Sequence, residues 1–326
     1  MGDYAVDPDA IEQARRRIAA HIHRTPVLTS RTLDARSGRR LFFKCENFQR
    51  AGAFKIRGAL SAVMRLTDAQ AARGVVTHSS GNHAQALALA ASIRGITAHV
   101  VMPRTAPDVK QRAVKHYGAA VYLCDPTMTA RRHEADRVVG QTGGVFISSY
   151  DHPDVIAGQG TVALELLEQV PDLDAIVAPV SGGGLVSGIA IAARTLRPDI
   201  RIIAAEPTGA DDVARSLAAG ERVVPDRPHS IADGLLATPG ELTWPILRDL
   251  LSRVVTVSDT QIVAAMRLIW ERMKLIIEPS AAAAVAAVLD DGFAPDNGIN
   301  RVGVVLSGGN ADLDRRYWPT ERAEAH

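Results

Sequence analysis

The stretch Ala175-Ile176-Val177-Ala178-Pro179-Val180-Ser181-Gly182-Gly183-Gly184-Leu185 decides the fold. Six uninterrupted apolar residues suit a strand buried on both faces, as parallel sheets require. Three glycines follow, and then a run of small residues opens a helix. At such a turn successive backbone N–H groups converge on an anion without Cβ obstruction. The same glycines equally serve a tight, closely packed strand-to-helix connection. A dinucleotide fingerprint needs glycine at 187, where Ser187 stands, and no Gly-Lys-Ser/Thr follows to make a nucleotide P-loop. The functional reading that remains is a cradle for a single phosphate monoester.

Working outward, the same alternation runs along the chain. Strands are expected at 41–45, 75–78, 99–102, 120–123, 145–148, 175–180, 200–205, 254–257 and 302–306. Between them lie helical patterns such as Ile56, Ala59, Leu60, Val63 and Met64, which form one continuous apolar face. A first helix is expected with Asp7 as cap, Pro8 at its first position and Ile11, Ile18 and Ile22 on one face. This is an α/β protein with mainly parallel sheets. Residues 67–151 read as four strand-helix units, a small domain inserted between 1–66 and 152–326, which together make the larger one.

The 326 residues are 47% hydrophobic and 22% charged, enough apolar material for a large core. Lys and Arg number 37 against 36 Asp and Glu, with no block of like charge, so neither a nucleic-acid surface nor an anionic membrane surface is expected. A small neutral or zwitterionic partner fits better. Cys45 and Cys124 lack CxxC spacing, which argues against a disulfide framework or a cysteine-based zinc site. The first residues lack a basic-then-apolar layout, and no apolar run reaches membrane-spanning length, so a cytoplasmic protein is expected. Only five basic residues are lysines: Lys44, Lys55, Lys110, Lys115 and Lys274. An amine can lose its proton and attack a carbonyl, whereas a guanidinium cannot.

Lys55 stands just before the helix that begins at Ile56. The helix dipole disfavours a cation there by about 0.3–1 kcal/mol. Apolar walls and positive backbone dipoles depress an amine pKa, which suits an imine-forming nucleophile. The plain alternative is a solvated first-turn lysine. Ser79-Ser80-Gly81-Asn82-His83 again follows a strand and starts a helix, offering hydroxyls and N–H donors to a carboxylate or phosphate, or merely capping the helix. His83 alone reads as structural. Ser307-Gly308-Gly309-Asn310 closes the last strand. All four segments belong at strand carboxyl ends, where open α/β sheets bind ligands. A reactive lysine, a monophosphate cradle, an anion-binding loop and a late serine together describe one cofactor, pyridoxal phosphate.

Six ordered blocks carry a resemblance over essentially the whole chain. They are Lys44-Cys45-Glu46-Asn47-Phe48-Gln49, Phe54-Lys55-Ile56-Arg57-Gly58-Ala59, His78-Ser79-Ser80-Gly81-Asn82-His83-Ala84-Gln85, Ala157-Gly158-Gln159-Gly160-Thr161, Ser181 to Leu185, and Ser307 to Asn310. With them the chain resembles the serine racemase and serine/threonine dehydratase family of fold-type II pyridoxal-phosphate enzymes. The resemblance implies a tryptophan-synthase-β-like fold, with two open parallel-sheet domains and the cofactor in the cleft between them. It implies that Lys55 carries the cofactor and removes the Cα proton, that Phe54 packs beside the ring, and that Asn82 bonds the ring hydroxyl. The backbone of Ser181, Gly182, Gly183, Gly184 and Leu185 is then expected to hold the phosphate, and Ser307 to meet the pyridine nitrogen. Ser79, Ser80, Asn82, His83 and Arg131 are the implied substrate contacts, with Ser80 as the acid on the face opposite Lys55. Glu206, the carbonyl of Ala210 and Asp212 resemble the family's divalent-cation site, whose hard oxygen ligands suit Mg²⁺ or Ca²⁺. The competing reading of Asp211-Asp212 is an ordinary acidic helix start in solvent. A homodimer is implied as well, and a nucleotide effector is compatible with the likeness.

The implied activity is racemisation of serine together with dehydration of L-serine or L-threonine, the substrates being small β-hydroxy amino acids. A neutral Ser307 makes a weaker electron sink than a carboxylate, which favours prompt loss of a β-hydroxyl. The nearest alternative is a dedicated dehydratase of threonine, serine or threo-3-hydroxyaspartate. Arg131 stands where the family places an arginine able to meet an acidic side chain, and Ala237 replaces a serine frequent in animal racemases. A more distant alternative is a non-catalytic nucleotide binder with structural glycine turns. The sequence ends soon after Ser307, so a C-terminal regulatory domain with isoleucine feedback is not expected.

Overall fold

In the computed structural model, which describes residues 4–293 and 298–318, ten strands form two separate sheets. In chain order they are β1 (Val27–Leu28), β2 (Arg40–Lys44), β3 (Val75–His78), β4 (Ala98–Pro103), β5 (Ala120–Cys124), β6 (Val145–Phe146), β7 (Ala175–Pro179), β8 (Arg201–Pro207), β9 (Arg253–Val257) and β10 (Arg301–Val305). The larger sheet runs β1-β2-β10-β7-β8-β9, and the smaller runs β5-β4-β3-β6. Every pairing is parallel except β1 on β2, where Val27 faces Lys44. β7 is buried along its whole length and β8 and β10 nearly so, as strands covered on both faces must be. Leu41, Phe43, Val302 and Val304 pack on one face of the large sheet, and Phe42, Ile176 and Ile202 on the other.

Local signals explain the helix starts. Asp7 accepts the Ala10 N–H at 2.7 Å, and Pro8 opens the helix Pro8–Ile18. That helix ends at Ile18, so Ile22 lies beyond it, partly buried against the core of the small sheet. The strand β6, expected to run to 148, ends at Phe146, although the Ile147 N–H still donates to the Val76 carbonyl of β3 at 2.8 Å.

Both sheets reverse their order once. The chain steps from β3 to β4 to β5 and then returns to place β6 on the other side of β3; likewise it steps from β7 through β9 and returns to place β10 beside β7. The crevices at such reversals are where open parallel sheets receive ligands. Ser79–His83 and 147–151 leave one of them, and Ser181–Gly184 and Ser307–Asn310 leave the other.

Beneath the helix Lys55–Arg65 lies a closed network of buried charges. Arg57 donates from Nε and Nη2 to Glu46 at 2.8 Å each, from Nη1 and Nη2 to Glu165 at 2.8 and 2.9 Å, and from Nη1 to Thr161 at 3.1 Å. All five guanidinium N–H groups are thereby used. Lys44 donates its three protons to Glu165, the Thr25 carbonyl and Gln169 at 2.7, 2.8 and 2.9 Å. Two cations meet two carboxylates, and the first turn of the helix is anchored by side chains two residues past Lys55.

Candidate active site

The two crevices open onto one cleft of about 620 Å³. Its lining includes Phe54, Lys55, Ser79, Ser80, Asn82, His83, Arg131, Ser181, Gly182, Gly183, Gly184, Leu185 and Ser307. Glu206, Ala210 and Asp212 do not line it.

Lys55 is the first residue of its helix, and Phe54 stands just before it. The Phe54 N–H donates to the Ser307 carbonyl at 3.0 Å, which ties the helix start to the end of β10. Lys55 Nζ donates to the Ser149 carbonyl at 2.8 Å and lies 5.1 Å from the Phe54 ring centroid. Burial pulls its pKa down to about 8, opposed by the carboxylate of Glu278. The amine therefore has both protonation states within reach near neutral pH.

The glycine turn is closely packed by its protein neighbours. Gly183 caps the helix Gly184–Leu196 at φ +94°, a conformation that disfavours every side chain. A Cβ on Gly182 would stand 2.4 Å from the Tyr150 ring. The first N–H groups of a helix have no intrahelical acceptor, so those following Gly183 stay available to an anion at the cleft wall.

Asn82 opens the helix Asn82–Arg94 and donates from Nδ2 to Glu278 Oε1 at 2.7 Å, while its Oδ1 accepts from Asn310 Nδ2 at 2.8 Å. Ser79 Oγ accepts the Gly81 N–H at 3.3 Å. His83 is buried, its Nε2 3.4 Å from the Ile147 carbonyl and its Nδ1 without a partner. Burial first, and then Lys55, push its pKa down to about 3, so the ring is neutral. Arg131 reaches the cleft from the helix Met128–Thr142 with a buried Nε that has no partner. Arg132 and His78 line the same wall, and across the mouth Lys110 Nζ meets Asp233 Oδ2 at 3.0 Å.

Tyr150, Asp151 and Glu278 line the cleft without having been singled out from sequence. Glu278 is the N-cap of the helix Pro279–Leu289, and burial pushes its pKa up to about 7. Its only sequence signal was a carboxylate directly before a helix-opening proline.

The acidic triplet lies at the carboxyl end of β8 instead. Glu206 accepts the N–H groups of Ala214 at 2.7 Å and Val213 at 3.2 Å. Asp212 begins the helix Asp212–Ala219, and its buried Oδ2 has no partner. Ala210 is buried beside them in sequence. Burial pushes Glu206 up to about 8 and Asp212 up to about 6. Among the described residues no three His, Cys, Asp or Glu gather as a metal-binding group.

Residues 18–308 match the family model for pyridoxal-phosphate dependent enzymes. The chain is 52% identical to a serine racemase of Arabidopsis thaliana over 313 residues, covering 95% of each. It is 50% identical to a beta-hydroxyaspartate dehydratase of Paracoccus denitrificans, covering 94% of this chain and 96% of the relative. The solved structure of maize serine racemase superposes with a TM-score of 0.94 at 51% identity, covering 95% of each chain. No helix among the described residues is long and apolar enough to cross a membrane.

Proposed function

The chain belongs to the pyridoxal-phosphate dependent enzymes, and on that footing we propose that it racemises serine and dehydrates L-serine and L-threonine to a keto acid and ammonia. The observation that carries this reading is that Lys55, following β2 of the large sheet, and Ser80, following β3 of the small one, line the same cleft. Racemisation needs a proton-transfer group on each side of the substrate Cα.

When bound, pyridoxal phosphate supplies the electron sink that acidifies the Cα–H bond. The residues present fit it. The N–H groups after Gly183 would hold the phosphate, the second Asn82 Nδ2 proton the ring hydroxyl, and Ser307 the ring nitrogen, with Phe54 beside the ring. Lys55 Nζ takes the Cα proton, its pKa of about 8 matched to neutral pH. Ser80 Oγ gives or takes a proton on the second face; helix-start N–H groups polarise a hydroxyl that is by itself a poor base. Ser79 and the N–H groups at Asn82 and His83 receive the substrate carboxylate, the neutral His83 ring acting without charge. Loss of the β-hydroxyl as water, then hydrolysis, yields the keto acid.

A dehydratase of threo-3-hydroxyaspartate is the second reading. Arg131, with its unpartnered Nε in the cleft, supports it, as does the Paracoccus denitrificans relative. We assign Mg²⁺ or Ca²⁺ to Glu206, Asp212 and the Ala210 carbonyl: a cation there would occupy the unpaired Asp212 Oδ2 and favour the ionised form of two carboxylates whose pKa values burial has raised. The separation of β3–β6 from the other strands supports dividing the chain into 1–66 with 152–326 and 67–151. Two free, buried cysteines suit a reducing cytoplasm, and the exposed Phe48 and Ile276, the latter bonded through its carbonyl to Asn47 Nδ2 at 3.2 Å, suit a homodimer contact.

Borohydride reduction and peptide mass spectrometry test the cofactor assignment: the pyridoxyl adduct is expected on the Lys55 peptide, and an adduct on another lysine overturns it. Chiral chromatography after incubation with L- and D-serine, L-threonine and 3-hydroxyaspartate tests the activity. D-serine from L-serine is expected; keto acid without D-serine leaves the dehydratase.

A further inference from the structure

Resting on the cofactor reading above, we propose that Asp151 is a positioning residue that ties the loop receiving Lys55 to the glycine turn expected to receive the phosphate, so that one relay holds both ends of the cofactor. The relay starts in the four residues after β6 and Ile147. Ser148 Oγ accepts the Asp151 N–H at 3.1 Å and closes this loop on itself. The Ser149 carbonyl accepts Lys55 Nζ at 2.8 Å. The Tyr150 ring lies against Gly182, in the space a Cβ would fill.

Asp151 itself reaches a third segment. Its Oδ1 accepts the Leu242 N–H at 2.9 Å and its Oδ2 the Glu241 N–H at 3.0 Å, just ahead of the helix Thr243–Leu250. Gly240 lies so close that a Cβ there would sit 2.1 Å from the Asp151 carboxylate. From this segment two donors return to the glycine turn: Thr243 Oγ1 meets the Gly182 carbonyl at 2.7 Å, and the Gly240 N–H meets it at 3.3 Å. Asp151 therefore fixes 240–243, and 240–243 fix Gly182, while residues one and two positions before Asp151 press on Gly182 and hold the lysine.

The chemistry at this position calls for a carboxylate. Two backbone N–H groups converge on it, one per oxygen, and an asparagine would turn an NH₂ toward one of those donors. Bonds from N–H to an ionised carboxylate are also stronger than neutral ones. Tyr150 and Asp151 line the cleft but need touch no substrate to act in this way.

The test uses holoenzyme of the natural chain, Asp151→Asn, Thr243→Val and Thr243→Ser. The rate of cofactor loss on dialysis against an aldehyde scavenger is measured, with the visible absorption band of the bound cofactor and circular dichroism of each protein. Asp151→Asn and Thr243→Val should each lose cofactor about fivefold faster, the scale of one net hydrogen bond, with a shifted visible band. Thr243→Ser, which keeps the hydroxyl, should match the natural chain. Folded variants that keep the natural loss rate and band overturn the relay while the cofactor reading stands. Should Asp151→Asn not fold, Thr243→Val and its serine counterpart decide alone. A natural chain that takes up no cofactor overturns the cofactor reading and the relay with it.

Discussion

Asn82 Nδ2 donates to Glu278 Oε1 at 2.7 Å, and this bond joins the turn after β3 of the small sheet to the N-cap of the helix Pro279–Leu289, which packs on the large one. The acceptor is a buried carboxyl whose pKa burial and the nearby Asp233 raise to about 7. A carboxyl whose folded pKa lies above its unfolded value contributes stability in acid, and that contribution is lost as the pH rises through the folded pKa. Glu278→Gln keeps an acceptor for Asn82 and removes the titration. The melting temperature of the cofactor-stripped protein should rise relative to the natural chain at pH 8 and change little at pH 5. An equal change at both values would show that Glu278 is not the titrating group.

At the end of β8, Glu206 and Asp212 carry pKa values raised to about 8 and about 6, so without a cation their contribution also fades as the pH rises across that window. The proposed divalent cation would reverse this by binding the ionised forms. Mg²⁺ or Ca²⁺ at about a hundred times its Kd at pH 8 should stabilise the protein by about 2.7 kcal/mol, and the same concentration should stabilise it less at pH 6, where more of the two carboxyls are protonated. Glu206→Gln/Asp212→Asn should abolish both the metal content and the pH difference. Thermal melting with a chelator and with added metal checks it; full metal content in the double variant places the cation elsewhere.

Ser80→Ala separates the two proposed activities. On the proposed mechanism Lys55 reaches one face of the substrate Cα, so inversion requires a donor on the other. The variant should lose L- to D-serine conversion and proton exchange from D-serine, while dehydration of L-serine survives within about tenfold, roughly 1.4 kcal/mol of barrier. Chiral product analysis and deuterium incorporation read this out. If Ser80 only binds the carboxylate, both activities fall together through KM.

Arg57 is fully buried, with every N–H bonded to Glu46, Glu165 or Thr161. Arg57→Met leaves two buried carboxylates with one cation, Lys44, and should cost about 3–5 kcal/mol of stability, as losing one partner of a buried pair does. Denaturant unfolding measures it. A loss under about 1 kcal/mol would mean that water enters and screens the site.

The fold was legible in detail because its signals are local. Apolar runs that end in glycine or serine turns mark parallel strands without reference to anything distant, and the nine strands expected from them coincide with β2 to β10, β6 being shorter. β1 went unread because two residues beside Pro26 carry no periodicity. The motif at 44–49, the one at 54–59 and the one at 157–161 stood out separately, yet nothing local showed that Glu46, Arg57 and Thr161 meet in one buried network. Nothing local marks Asp151, since its two N–H partners lie 90 and 91 residues away.

By itself, then, the sequence determined the parallel α/β architecture, the lysine at a helix start and the glycine turn after β7, all of which depend on neighbours in the chain. Tertiary structure alone decided which strand ends share a cleft, since parallel crossovers bring together residues as far apart as Asn82 and Glu278, 196 positions in sequence. It also decided the protonation of the site. Desolvation, which draws Lys55 down to about 8 and lifts Glu278 to about 7, is a property of packing and has no signature in the order of the residues.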